Sequence, residues 1–325
     1  MNIFRRGLGL LQSQMQRAIE PALRNSERLL ILQAMQLAAS NATRDRLHRL
    51  SDVEFSAFSQ WGEDGILAWL ADRLPDLPRT FVEFGVGDYL ESNSRLLLEA
   101  RNWRGCVLDG SDRHIEAIRR QPFYWRHQLT AQQAFVNAEN INEKIAAAGA
   151  SGDIGLLSID VDGNDYWIWK VINVVRPAIV VVEYNSVLGD RLEITVPYQP
   201  NFVRSAAHPS HLFFGASIRS LVILGQQLGY TFIGTTSTGC NAFFVRDDLA
   251  VKLTQDIASK SAFPSTVRES RDDSGALTFA SGQDRIDLIK TMSVIDLKSG
   301  QLVRLGDIQH ELYSTRWASG DCIEL

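Results

Sequence analysis

Cysteine is scarce: Cys106, Cys240 and Cys322 are the only three in 325 residues, they stand far apart, and no CxxC pair occurs. That excludes a disulfide framework and a cysteine-based zinc site as the basis of folding, and makes a reducing compartment the expectation. Long apolar runs are missing too. No stretch approaches the ~18 residues of a membrane span, and the opening MNIFRRGLGLLQSQMQ breaks with Gln and Ser before a secretory signal core could form. A cytoplasmic protein is expected. Excess positive charge is the third absence, since 33 Lys+Arg face 38 Asp+Glu for a net charge of -5. A protein whose main task is to grip nucleic-acid phosphates needs a basic surface, so nucleic acid is not an expected partner. What is present is ordinary for a globular chain, 45% hydrophobic and 22% charged. The length allows two domains or one large α/β domain with extensions, and either buries a core that needs no metal or disulfide.

The charge is unevenly spread. Residues 1–50 carry eight Arg against Glu20, Glu27 and Asp45, a net +5, which leaves -10 on the remainder. Phe4, Leu8, Leu11, Met15 and Ile19 recur at helical spacing, and Pro21 restarts a second helical stretch through Leu23, Leu30, Ala34 and Leu37. This amphipathic arm, residues 1–50, is expected to pack on the body or on a second copy of the chain in a homo-oligomer. Peripheral contact with anionic lipid is the alternative, and both readings stay open here.

From about residue 60, short apolar runs alternate with helical stretches, the pattern of parallel strands joined by crossover helices. Strands are expected at Thr80 to Phe84, Cys106 to Asp109, Ala134 to Asn137, Leu156 to Asp160 and Ala178 to Glu183. Helices are expected near 64–74, 92–101, 112–120, 140–148 and 166–174. An irregular insertion with Pro197, Pro200 and Pro209 precedes a helix from Ala216 to Leu228. Tyr230 to Thr235 and Ala242 to Arg246 then flank STGCN, a loop short enough to force an antiparallel hairpin. The expected fold is a doubly wound α/β sheet of seven strands, Rossmann-like, ended by that hairpin. Its domain spans 51–255, and 256–325 form a small β-rich appendage with strand-like SVIDL and QLVRL.

The sharpest local signal is TFVEFGVGD, where a strand ending in Glu83 meets Gly85-Val86-Gly87. Missing side chains there let a ligand lie against the backbone. A nicotinamide dinucleotide would want a third glycine to seat its pyrophosphate, and position 90 is Leu. A methyl donor without phosphate has no such need, and an acid at the strand end can meet its amino group. Asp109 ends the second strand about 20 residues on, where ribose-binding folds place an acid; a helix cap is its alternative. Asn137, Glu139 and Asn140 follow the third strand and could meet an adenine amino group, although Asn140 equally suits a cap.

The fourth strand gives LLSIDVDGNDYW, with Asp160, Asp162 and Asp165 crowded where the chain leaves the sheet; the fifth, IVVVEYN, brings Glu183 and Asn185 to the same edge. Crowded like charges need a cation or several donors, and oxygen ligands suit Mg²⁺, Mn²⁺ or Ca²⁺. A solvated Asp/Asn/Gly turn is the alternative for Asp162 and Asp165, while Asp160 is taken as functional. Tyr166, Trp167 and Trp169 should pack the next helix. In AAHPSHLFFG, His211, in preference to His208, is the candidate general base, against the plainer fate of a surface or capping histidine.

Together FSQWGEDGIL, FVEFGVGDYLESNSRLLLEARNWRGCVLDGSD, LLSIDVDGNDYWIWK, IVVVEYNS and GASIRSLVILGQQLGYTFIGTTSTGCNAFFVRDDL resemble the class I S-adenosylmethionine-dependent methyltransferases, more narrowly the FkbM-like group, over residues 55–250 or so. The resemblance implies donor binding by Glu83, Gly85 and Gly87, with the ribose on Asp109. SIDVDGNDY is also similar to the fourth-strand stretch of cation-dependent O-methyltransferases, whose first Asp, here Asp160, ligates a divalent metal with an Asp-Asn pair after the next strand. In this chain that pair reads Glu183-Tyr184-Asn185 and is split. The expectation is an O-methyltransferase acting on a hydroxyl of a sugar, glycan or natural-product-like acceptor, with Asp160 and His211 catalytic and Asp160, Glu183 and Asn185 as metal ligands. A donor-binding scaffold or membrane-associated assembly factor without catalysis is the rival.

Overall fold

The computed structural model describes residues 25–253 and 255–325. Five parallel strands build its centre: β1 (Thr80–Phe84), β2 (Arg104–Asp109), β3 (Leu129–Gln133), β4 (Gly152–Ile159) and β5 (Val175–Glu183). The hairpin β6 (Tyr230–Thr235) and β7 (Asn241–Arg246) completes the sheet in the order β3-β2-β1-β4-β5-β7-β6, with β7 antiparallel to β5. This is the expected seven-stranded Rossmann-like α/β sheet with a terminal antiparallel hairpin. β5 shows why it forms: Ile179 and Val181 enter the core on one face, Val180 and Val182 the core on the other. A strand buried on both faces reads as a continuous apolar run because neither side meets water.

One expected strand is corrected. The third strand is Leu129–Gln133, and residues 134–140, which include the predicted Ala134 to Asn137, form a loop. β3 is an edge strand with only Leu129 and Ala131 buried, so its sequence, LTAQQ, lacks the apolar run that marks the central strands.

Helical residues 25–42 are α1, followed by α2 (Glu63–Arg73), α3 (Arg95–Arg101), α4 (Asp112–Arg120), α5 (Ile141–Ala147), α6 (Asp165–Val171) and α7 (Ile218–Gln227). The predicted amphipathic stretch from Phe4 to Ile19 lies outside the described residues, as does Leu23. In α1 Ala34 packs with Phe58 and Leu96 and Ala38 is buried, whereas Leu37 is 50% exposed. Leu37 falls about 100° around the helix from the buried Ala38. Among the described residues no helix is long and apolar enough to cross a membrane.

From Ile257 onward the chain folds back over the strand ends. Ile257–Ser259 pairs in parallel with Leu47–Arg49, and Ser261–Ala262 pairs with Ile323–Glu324. Ser293–Asp296 pairs with Leu302–Arg304 on one side and with Ile194–Thr195, from the insertion after β5, on the other. Ile286, Ile289, Val294, Leu305 and Leu312 share a core with Val187, Leu188, Ile194 and Phe202. That core roofs the carboxyl ends of β4 and β5. The strand order reverses between β1 and β4, and in open α/β sheets ligands bind in the crevice at such a reversal.

Candidate active site

At the end of β1 the chain turns through two left-handed glycines. Gly85 has φ +69°, and a Cβ there would stand 1.6 Å from the Asp160 carbonyl oxygen, so only glycine lets this turn lie against the end of β4. Gly87 has φ +56° with nothing within 4 Å of its Cβ position. Its amide donates to Asp109 Oδ2 at 2.8 Å. Asp109 Oδ1 accepts from Ser111 N at 2.8 Å and lies 2.9 Å from His114 Nδ1. A carboxylate offers about four lone-pair sites, so one remains for a ligand hydroxyl.

The remaining residues expected at the donor are tied to the protein itself. Glu83 is buried, and its carboxylate accepts from Ser92 Oγ (2.8 Å), Asn93 N (2.9 Å), Ser94 N (3.1 Å) and Ser94 Oγ. Burial pushes its pKa up, and these bonds oppose the rise. Glu83 therefore fixes the loop at 92–94 rather than presenting a free acid. Asn137 and Asn140 cap one another through 2.9 and 3.0 Å backbone-to-side-chain bonds, and Glu139 accepts from the Tyr198 hydroxyl.

The strand ends of β1, β4 and β5 open into a cleft of about 360 Å³. Gln60 and Trp61 form part of its wall, because Asp64, near the start of α2, gathers the amides of Ala57, Phe58 and Ser59 at 2.6–2.8 Å and shapes the preceding loop. Asp160 and Glu183 line the cleft, and one oxygen each from these two and from the fully buried Asp165 lie within 4.8 Å of one another. Asp165 opens α6 and accepts from Val161 N (2.8 Å) and Gly163 N (2.9 Å), closing the DVDGND turn. Burial raises all three acids, Asp165 to about 6; nearby Asp162 and Asp165 raise Asp160 further, and Asp160 does the same to Glu183. Glu183 Oε2 is buried and has no hydrogen-bond partner among the described residues. Three converging oxygens with one orphaned suit a hard cation or a shared proton.

Asn185 borders the cleft, yet its amide nitrogen donates to Leu212 O (2.8 Å) and Phe214 O (2.9 Å), and its oxygen accepts from Val187 N (3.0 Å). Thus the structure groups Asp160 and Glu183 with Asp165, and Asn185 anchors the 212–214 segment. Asp162, at φ +54°, turns outward to Arg204 at 2.9 Å. Arg204 also pairs with Glu269, lies 3.8 Å over the Phe214 ring and donates to His211 O at 2.6 Å. Burial opposes the Arg204 charge, but Glu183, Glu269 and Asp162 outweigh it and raise its pKa. His211 enters through its carbonyl, and its ring is not among the cleft walls; His208 Nδ1 lies 2.8 Å from Ser210 Oγ. Trp169 packs in the sheet core as expected, and Trp167 Nε1 donates to Val196 O at 2.9 Å. Arg204 and Arg285, both at the cleft, carried no sequence signal, each being an isolated arginine in an irregular or short helical stretch.

No family model matches the sequence, and no curated protein matches it. Among solved structures, an O-methyltransferase from Bacillus cereus in complex with SAH is similar at 13% identity, covering 67% of this chain and 90% of that one with a TM-score of 0.38. An O-methyltransferase assigned as such in Klebsiella pneumoniae gives the same identity and coverages with a TM-score of 0.37. The N-terminal domain of EvdMO1, crystallised with SAH and D-fucose, is similar at 11% identity, covering 67% and 95%, with a TM-score of 0.39.

Proposed function

We propose that the chain is a methyltransferase of the FkbM-like kind that moves the methyl group of S-adenosylmethionine to a hydroxyl of a sugar or sugar-like small molecule. The observation that carries this reading is one sheet edge with two halves. The open turn at Gly85 and Gly87, bonded to Asp109, suits the donor; the Asp160–Glu183 floor beside it suits the acceptor oxygen. The donor supplies an electrophilic methyl group on a sulfonium. The protein then has to hold the acceptor oxygen in line, exclude water and take one proton. Glu183 Oε2, orphaned and next to Asp160, is the atom placed to receive that proton. If a divalent cation is used, Asp160, Asp165 and Glu183 would hold it, and it would favour the deprotonated hydroxyl.

Calorimetry with S-adenosylmethionine and S-adenosylhomocysteine tests the first part. Micromolar binding of both is expected, and no heat at high micromolar concentration would reject the reading. Millimolar Mg²⁺ or Mn²⁺ should raise the melting temperature by a few degrees, as expected of a ligand that binds only the folded state. The rise should vanish in Glu183→Gln. An unchanged melting temperature with either ion would leave Asp160 and Glu183 as proton carriers alone.

A further inference from the structure

The C-terminal segment supplies the cleft with a cation that no acid among the described residues neutralises. Arg285 is 6% exposed and borders both the cleft and a second cavity of about 210 Å³; Ser186, Ser265 and Val267 border both as well. Its guanidinium donates to the carbonyls of Ser265 (3.0 Å), Gly282 (3.3 Å) and Val267 (3.4 Å). Burial lowers its pKa, and no carboxylate among the described residues offsets that. Arg204 differs, being paired with Asp162 and Glu269. Three of the five N–H groups of Arg285 are thus used, which leaves one on each terminal nitrogen, the fork that matches a carboxylate. A second observation points to the same ligand. Ser186 is 3% exposed, and its hydroxyl has no partner among the described residues. Ser265 Oγ accepts from Val267 N at 3.2 Å and lies 3.9 Å from Cys240 Sγ, so its proton goes to the thiol or, when the thiol donates instead, to a ligand. Buried Ile286 and Ile289 hold the helix Asp284–Ile289 that carries the arginine.

We propose that Arg285, with Ser186 and Ser265, docks a carboxylate carried by the methyl acceptor, which makes the acceptor a hydroxylated acid and not a neutral alcohol. The proposal rests on the methyltransferase reading for the word acceptor. The donor also has a carboxylate, but these residues follow β5 or belong to the C-terminal segment; of the donor turn Gly85 alone touches the cleft, and Gly87 and Asp109 border neither cavity.

The test uses the full chain saturated with S-adenosylhomocysteine and titrated, by ligand-observed NMR, with D-glucuronate and with D-glucose, which differ in one carboxylate. Glucuronate should bind at least about tenfold more tightly, as a desolvated Arg–carboxylate pair implies. Arg285→Met should abolish the preference while keeping wild-type affinity for S-adenosylhomocysteine. Arg285→Lys, which keeps the charge without the fork, should retain part of the preference and serves where the Met variant fails to fold. Equal binding of the two sugars, no binding of glucuronate at millimolar concentration, or a preference that survives in Arg285→Met would overturn the proposal. Weakened S-adenosylhomocysteine binding in that variant would give the arginine to the donor and overturn it too. Failure of the wild type to bind S-adenosylhomocysteine would count against the methyltransferase reading instead, and the sugar pair would then report on the anion site alone.

Discussion

Asp160→Asn should lower methyl transfer by about 10²–10³-fold, or about 2.7–4 kcal/mol of barrier, with little change in melting temperature. The side chain keeps its shape but loses the charge that either a cation or a proton needs. Its carboxylate accepts no hydrogen bond from the described residues and faces the cleft with Glu183, so it contributes little to holding the fold together. Removing one of several crowded acids even relieves repulsion: burial, Asp162 and Asp165 all push the Asp160 pKa up. The variant should therefore melt at or slightly above the wild-type temperature while its turnover collapses. Single-turnover assays beside thermal melts check this, and an Asn variant within about threefold of wild-type activity would remove Asp160 from the reaction.

The second large effect is on the turn itself. Gly85→Ala should destabilise the protein by about 3 kcal/mol or more, because a Cβ cannot stand 1.6 Å from the Asp160 carbonyl oxygen without moving β1 away from β4. The left-handed φ of +69° adds a cost of about 1–2 kcal/mol on its own. Gly87→Ala meets only that second cost, since its Cβ position is open. The two variants should separate stability from binding. Gly85→Ala should melt early and bind S-adenosylhomocysteine poorly, whereas Gly87→Ala should stay folded and lose affinity, since on the proposed function its methyl group would enter the donor's space. A Gly85 variant melting within a degree of wild type would contradict the close approach, and wild-type donor affinity in Gly87→Ala would move the donor elsewhere.

Much of this arrangement was legible before any coordinates. Central strands buried on both faces show as apolar runs, so β1, β2, β4 and β5 could be read with their terminal acids Glu83, Asp109, Asp160 and Glu183. The five-residue STGCN loop could join its flanking strands only as a hairpin. β3 escaped because an edge strand half open to water keeps polar residues such as Gln132 and Gln133. Glu83 was legible at its strand end, but its bonds to Ser92, Asn93 and Ser94 were not, since they depend on how the following loop folds back.

The third oxygen of the acid cluster was the harder point. Sequence spacing suggested Asn185, yet Asn185 is held by the carbonyls of Leu212 and Phe214, whereas Asp165 is turned inward by the amides of Val161 and Gly163. Past the last ladder bond, the two-residue alternation no longer fixes where a side chain points. Long-range backbone bonds decide it instead. His211 illustrates the same rule, as its carbonyl and not its ring serves the site.

By itself, then, the sequence determined the sheet, its hairpin and the concentration of acid along one edge, because hydrophobic periodicity and turn chemistry act over a few residues. Only the tertiary structure decided which acids share the cleft and that Arg204 and Arg285 close it. The contacts that place them join Arg204 to Asp162 and Glu269, and Arg285 to Ser265 and Val267, residues about 18 to 65 positions apart. Contacts across such separations leave no local pattern in the chain, and they exist only once the insertion after β5 and the C-terminal segment have folded over the strand ends.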